Sequence, residues 1–326
     1  MSETVVITGA SAGVGRATVR KFARGGAQIA LLARGRPGLE AARKEVQELG
    51  GKAMALIVDV ANADQVESAA AQIESELGPI DIWINNAMAS VFSPVKEMTP
   101  EEYRRVTEVT YLGCVYGSLA ALKRMLPRNR GVIVQVGSAL AYRSIPLQSA
   151  YCAAKHALQG FTESLRCELI HDQSNVRVTM VQLPALNTPQ FGWVKSRLPR
   201  KAQPMPPIFQ PEVAAHAIYF AAHNPRRQFD VGWPSVKAIV ANKFVPGVLD
   251  RVLAHSGYDA QQYDGREDPN RAHNLWEPVL GDHGAHGDFD ARAKSWSGQW
   301  WLNQHRAAVA IGLVIIAACL IVLLRR

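Results

Sequence analysis

Tyr151 and Lys155 stand at i and i+4 on one predicted helix, so a phenol and an ammonium share a face. A free phenol titrates at about 10, and a neighbouring ammonium favours its phenolate. The pair is therefore suited to exchanging a proton with an alcohol or a carbonyl near neutral pH. Tyr-x-x-x-Lys alone is a common spacing. Ser138 strengthens it by placing a hydroxyl just after the apolar run 132–136, at the strand end where open α/β sheets hold their ligands. A second group lies near the start of the chain. Gly9, Gly13 and Gly15 punctuate the turn between the apolar run 4–8 and a helix, which lets backbone N–H groups and the positive helix end face a pyrophosphate. The spacing is Gly-x-x-x-Gly-x-Gly rather than GxGxxG, and by itself it also suits an ordinary tight turn.

These groups need a scaffold that brings several strand ends together. Apolar runs at 4–8, 29–33, 53–58, 80–84, 132–136 and 176–181 alternate with helical patterns, including 39–49, 63–77 and 150–170. A further helix opens at Thr99-Pro100-Glu101-Glu102, with Thr99 as N-cap, Pro100 at N1 and Glu102 completing a capping box. Near-continuous apolar strands separated by helices predict a Rossmann-like, doubly wound parallel sheet covered on both faces. After the last of these runs, the proline-rich segment 183–211 reads as a lid or binding loop, with Phe191, Trp193, Met205, Ile208 and Phe209 as apolar lining. Helices at 212–222 and 236–255 and a strand near 229–232 follow, and 256–295 reads as a polar linker or an irregular wrap.

Thr8-Gly9-Ala10-Ser11-Ala12-Gly13-Val14-Gly15, Asn85-Asn86-Ala87 after the fourth strand, and Tyr151-Cys152-Ala153-Ala154-Lys155 together resemble the short-chain dehydrogenase/reductase family over residues 4–255. The resemblance implies hydride transfer at a nicotinamide, with Tyr151 as acid/base, Lys155 as ribose binder and tyrosine activator, and Ser138 donating to the substrate oxygen. It implies a cofactor site made by Gly9, Ser11, Ala12, Gly13, Val14, Gly15, Asp59, Val60, Asn86, Ala87, Tyr151, Lys155, Pro184 and Thr188, with Asp59 at the adenine. Two positions depart from the family pattern. Met88 replaces a glycine, and Thr110 replaces an asparagine that helps hold a proton-relaying water, so Thr110 enters the catalytic set with a shorter reach. Cofactor choice follows from charge. The second strand ends Ala33-Arg34-Gly35-Arg36, and Arg16 opens the first helix, so cations stand where a 2′-phosphate would lie and NADP(H) is expected.

With 326 residues, 48% of them hydrophobic and 20% charged, a disordered chain is excluded. The net charge of +8 is spread without a basic run, which disfavours nucleic acid and leaves anionic lipid and a phosphorylated cofactor. Cys114, Cys152, Cys167 and Cys319 form no CxxC pair and suggest a reduced compartment. His283-Gly-Ala-His286, with Asp282 and Asp288, lies in a polar segment without further placed ligands and is not read as a metal site.

No cleavable leader pattern opens the chain. Residues 307–324 carry no charge and no proline, enough for roughly 27 Å of helix, and Trp296, Trp300 and Trp301 precede them. The expected organisation is a catalytic domain at 1–255, a polar extension at 256–303 and a single transmembrane anchor at 304–326, with the catalytic domain on the cytoplasmic side. The expected activity is oxidoreduction of a lipophilic carbonyl or alcohol at a membrane, with a homo-oligomer left open. A catalytically weak, membrane-anchored NADP-binding scaffold is the alternative.

Overall fold

The computed structural model describes residues 2–224 and 226–306. In its first half β1 (Thr4–Thr8), β2 (Gln28–Ala33), β3 (Ala53–Ile57) and β4 (Ile80–Asn85) are separated by α1 (Gly13–Arg24), α2 (Arg36–Glu48) and α3 (Ala63–Leu77). A two-residue strand, β5 (Val91–Phe92), leads to α4 (Pro100–Thr107) and α5 (Gly113–Met125), and β6 (Val132–Ser138), α6 (Ser149–His171) and β7 (Arg177–Leu183) follow. Beyond two short strands, β8 (Lys195–Ser196) and β9 (Arg200–Ala202), α7 (Pro211–His223) returns the chain to β10 (Gln228–Asp230).

The main sheet is parallel throughout, in the order β10-β7-β6-β4-β1-β2-β3. Its apolar strands bury both faces. Val19 and Phe22 of α1, Val46 of α2 and Ile218 of α7 pack on one side, and Val66 and Ile73 of α3, Ala121 of α5 and Leu165 of α6 on the other. The strand order reverses between β1 and β4, which opens a crevice at the carboxyl ends of those strands.

The capping box acts as its chemistry dictates, and the proline at 246 was under-read. The Thr99 hydroxyl accepts from Glu102 N–H, and the Glu102 carboxylate accepts from Thr99 N–H at 3.0 Å, closing the capping box of α4. The helix that starts there is interrupted by a π turn, Glu108–Leu112, before α5 resumes. The single helix expected at 236–255 is two, α8 (Trp233–Phe244) and α9 (Pro246–Ser256). Pro246 has no N–H to donate, and its ring blocks the carbonyl one turn back.

The irregular segments have more structure than their composition suggests. β8 pairs with β5, and β9 pairs antiparallel with β11 (Gln262–Arg266). Residues 256–295 wrap the domain, burying Leu275 completely together with Ala285 and Phe289. In α10 (Gly298–Gln304) Trp300 packs edge-on to Phe220 and Phe229, with ring centroids 5.6 and 5.9 Å away, so it is a core residue rather than a membrane flank. Trp296 and Trp301 are exposed. The expected span at 307–324 lies outside the described residues, among which no helix is long and apolar enough to cross a membrane.

Candidate active site

The crevice is built where β1 meets β4. The Thr8 hydroxyl accepts from the N–H groups of Asn86 and Ala87 at 2.9 and 3.0 Å, and Asn86 Nδ2 donates to Thr8 O at 2.9 Å. Asn85 sits behind them, its amide shared among Cys114 O, Ser118 Oγ and Gln135. This stitching fixes the floor under the glycine turn. Gly9 has φ +66°, and a Cβ there would stand 3.0 Å from Ala87 Cα. Gly15 lies deeper, and a Cβ on it would sit 2.0 Å from Gly9 O.

From this turn one cavity of about 500 Å³ runs across the sheet ends to Ser138, Tyr151 and Lys155. Ser138 ends β6, while Tyr151 and Lys155 lie one turn apart at the start of α6. Burial pushes the Tyr151 phenol above its ordinary value, with a Ser138 hydrogen bond acting against that shift. Lys155 is 2% exposed, and burial lowers its pKa. Its Nζ donates to Val136 O at 2.7 Å and lies 5.6 Å from the centre of the Tyr151 ring. Desolvation of the phenol thus prevails over the Ser138 hydrogen bond, in place of the phenolate-favouring effect expected of the ammonium.

Gly9, Ser11, Ala12, Gly13, Val14, Arg34, Asp59, Val60, Asn86, Ala87, Pro184 and Thr188 line the same cavity. Three expected site residues do not. Gly15 supports the turn from behind. Arg16 is 1% exposed, donates to Glu45 at 2.8 Å and Asp282 at 3.1 Å, and also binds the carbonyls of Ser11 and Gly38, so its charge is spent inside the protein. Thr110 is fully buried in the π turn, where its hydroxyl donates to Ala89 O and accepts from Ala89 N–H, both at 2.9 Å. That hydroxyl is closed on backbone and does not face the cavity. Arg36 is exposed away from the site. Tyr142 turns to Gln228 at 2.7 Å, and Ile208 and Phe209 pack into the protein, leaving Phe191, Trp193 and Met205 of the 183–211 segment as cavity wall.

A model of the short chain dehydrogenase family matches residues 3–197. The chain belongs to that family. An uncharacterized oxidoreductase, YxnA, of Bacillus subtilis is 33% identical over 283 residues, 86% of this chain and 80% of the relative. A fatty acyl-CoA reductase of Acinetobacter baylyi is 28% identical over 228 residues, 69% of this chain and 75% of the relative. The alcohol dehydrogenase of Thermococcus sibiricus, solved with 5-hydroxy-NADP, superposes with a TM-score of 0.62 at 28% identity, over 71% of this chain and 95% of that one.

As a short-chain dehydrogenase the protein is an oxidoreductase with a nucleotide-binding Rossmann fold, and its crevice fits such a dinucleotide. The glycine turn leaves a cradle free of side chains at the start of α1, where Gly13 N–H donates to Gly284 O of the wrap at 3.0 Å, and a long cleft connects it to the Ser138, Tyr151 and Lys155 cluster. The sequence reading missed the far wall. Asn274, Pro278, Val279, Gly281 and His283 of the wrap and Leu249, Val252 and Leu253 of α9 all line the cleft. Nothing local marks the wrap residues, since their segment lacks periodicity. The α9 residues were legible only as one face of a longer helix.

Proposed function

We propose that this short-chain dehydrogenase uses NADP(H) to interconvert a lipophilic carbonyl compound and its alcohol at a membrane surface. The observation that carries the cofactor is Arg34. Arg34 lines the cleft at the end of β2, and among the described residues its guanidinium donates only to the backbone carbonyls of Asn274 and Trp276. Among the described residues no carboxylate pairs with it. Burial, and then the nearby Arg105, lower its pKa against the opposing pull of the Asp59 and Glu277 carboxylates, neither of which pairs with it directly, and Asp59 is taken by Arg105 at 2.6 Å. A 2′-phosphate supplies the missing anion at this position, and the hydroxyl of NAD(H) does not. The NADP-type ligand of the Thermococcus sibiricus neighbour agrees with this reading.

NADP(H) supplies or accepts the hydride when bound. Tyr151 gives its proton to the substrate oxygen as a carbonyl becomes an alcohol, and Ser138 donates a hydrogen bond to that same oxygen. Lys155 holds the ribose and electrostatically favours the phenolate left by proton transfer.

The rest of the cleft supports an apolar substrate. Phe191, Trp193, Met205, Leu249, Val252 and Leu253 line it, and one relative, that of Acinetobacter baylyi, is a fatty acyl-CoA reductase. Membrane attachment rests on the uncharged run 307–324 and on the exposed Trp296 and Trp301 before it. The scaffold alternative has one observation in its favour, the Thr110 hydroxyl closed on Ala89.

Turnover separates the two readings. Purified protein with NADPH and a panel of long-chain aldehydes and ketones is expected to oxidise the cofactor. Tyr151→Phe is expected to lose about 10²–10⁴ of that rate while NADPH still binds. Equal turnover by both proteins would remove Tyr151 as the acid, and no turnover by either would favour the scaffold.

A further inference from the structure

Residues 274–284 cross the nucleotide half of the cleft as a strap. One end is fixed by Leu275, whose side chain is fully buried against the α3–α5 side of the sheet and whose carbonyl accepts from Arg105 at 3.0 Å. Arg105 in turn holds Asp59. The other end is fixed by Asp282 on the buried Arg16 and by Gly284 O, which accepts from Gly13 N–H at 3.0 Å. Between these ends the strap lies over the cleft, and Asn274 N–H reaches back to Trp193 O at 3.0 Å. Arg34 is gripped by two of its carbonyls.

This geometry joins three parts that the sequence keeps apart: the glycine turn, the β2 end and the wrap. A long arginine side chain loses rotamer freedom when it binds an anion, and a guanidinium already held in place loses less. The Asn274 and Trp276 carbonyls are neutral, so they orient Arg34 without cancelling its charge. The strap's one carboxylate near Arg34, Glu277, acts on it only through space and makes no ion pair with it among the described residues, so the guanidinium is oriented by carbonyls and not by a direct anion.

We infer that the strap is a specificity-determining wall of the cofactor site, which presents Arg34 to the 2′-phosphate and thereby selects NADPH over NADH. The inference rests on the NADP(H) reading above. Asn274 and Trp276 act as positioning residues through their backbone, so substituting their side chains does not test the idea. Leu275 and Asp282, which fix the strap but do not line the cleft, do test it.

The experiment titrates NADPH and NADH by fluorescence into the full-length chain and into Leu275→Ala, Asp282→Ala, Arg34→Ala and the Arg34→Ala/Leu275→Ala double variant. Circular dichroism checks the fold of each. Leu275→Ala is expected to weaken NADPH by about tenfold, the worth of one charge-assisted hydrogen bond, while moving NADH much less. Asp282→Ala is expected to act in the same direction more weakly, and it decides the matter if Leu275→Ala does not fold. In the double variant the two losses should not add, because both remove the same interaction. If Arg34→Ala leaves the NADPH to NADH ratio unchanged, the NADP(H) reading falls and the strap's role falls with it. If Arg34→Ala collapses the ratio but loosening the strap leaves it intact, or weakens both cofactors equally, the strap inference alone is overturned.

Discussion

The floor and the cover of the cleft are built differently. The floor is made of strand ends and helix starts: β1 and the glycine turn, β4, Ser138 on β6 and the first turn of α6, all held by ladders and bonds within regular elements. The cover is made of the segments 183–211 and 256–295, held by side chains that reach backbone far away in the chain. Arg271 donates to Phe191 O and Val194 O at 3.0 and 2.8 Å, Gln203 donates to Gln262 O at 2.8 Å, and Phe289 N–H donates to Asn187 at 3.0 Å. The floor has few separable parts, whereas the cover is a set of individual ties. Damage to the floor should therefore abolish binding or chemistry, and damage to the cover should retune them.

The largest expected effect is on the floor. Gly15→Ala would place a methyl 2.0 Å from Gly9 O, with backbone on one side and the Asn86 amide 2.8 Å away on the other. The first is backbone, and the Asn86 amide is held in place by its bonds to Thr8 O and Gly9 O. Overpacking of this kind costs about 3 kcal/mol. Thermal melting should show a marked fall, and NADPH titration should show no binding. A variant with wild-type melting and normal affinity would mean that the floor yields as readily as the cover.

A cover tie should cost less and act elsewhere. Glu102, known from the sequence only as a capping residue, also accepts from Lys195 at 2.8 Å and Arg197 at 2.7 Å, so it pins the 183–211 segment to the start of α4. Burial pushes its carboxyl up, but the hydrogen bonds from Arg197 and Lys195 prevail and hold it at about 2. Since the folded value lies below the unfolded 4.5, this stabilisation is complete above pH 4.5 and is lost as pH falls through about 2. Glu102→Gln keeps an oxygen for the cap and removes the charge. It should cost about 2 kcal/mol at neutral pH, less than a fully buried pair because both cations are partly exposed. It should also raise KM more than it lowers kcat, and flatten part of the acid decline of the melting temperature. Much of the remainder belongs to Glu45 on α2, held at about 2 against burial by Arg20 and Arg16, with Glu67 and Asp290 also held below the ordinary carboxylate range by their partners. An unchanged acid limb in Glu102→Gln would show that the tie carries no stability.

The same contrast explains what could be read from the sequence. Ser138, Tyr151, Lys155 and the glycine turn were legible because strand, turn and helix fix their positions locally. The parallel sheet was legible for the same reason, through the period of its apolar runs. Three arginines stood near the expected phosphate, and sequence spacing did not tell them apart. Arg16 is neutralised by Glu45 and Asp282, Arg36 points to solvent, and only Arg34 keeps its charge in the cleft. Those outcomes depend on partners up to 266 positions away in the chain, which no local pattern encodes. Thr110 was judged by its type, but the π turn around it decides where its hydroxyl goes. The break at Pro246 was available in the sequence, where the apolar period of the two helices masked it.

The smallest expected effect separates floor from cover within the reaction itself. In a series of unbranched aldehydes of like reactivity, each added CH₂ buried against Phe191, Met205 or Leu253 contributes up to about 0.8 kcal/mol, so kcat/KM should rise by up to about fourfold per carbon until the cleft is filled. Tyr151→Phe acts on proton transfer, which all members of the series share. It should lower every point by the same factor and leave the slope unchanged. Leu253→Ser replaces apolar wall with a hydroxyl and should lower the slope among the longer aldehydes while sparing the shortest. Trp193 couples the wall to the strap through an edge-on contact with His283, ring centroids 4.5 Å apart, so Leu275→Ala should also flatten the slope slightly. A flat series in the unmodified protein would refute the lipophilic substrate. A slope that changed in Tyr151→Phe would show that floor and cover do not act independently on the transition state.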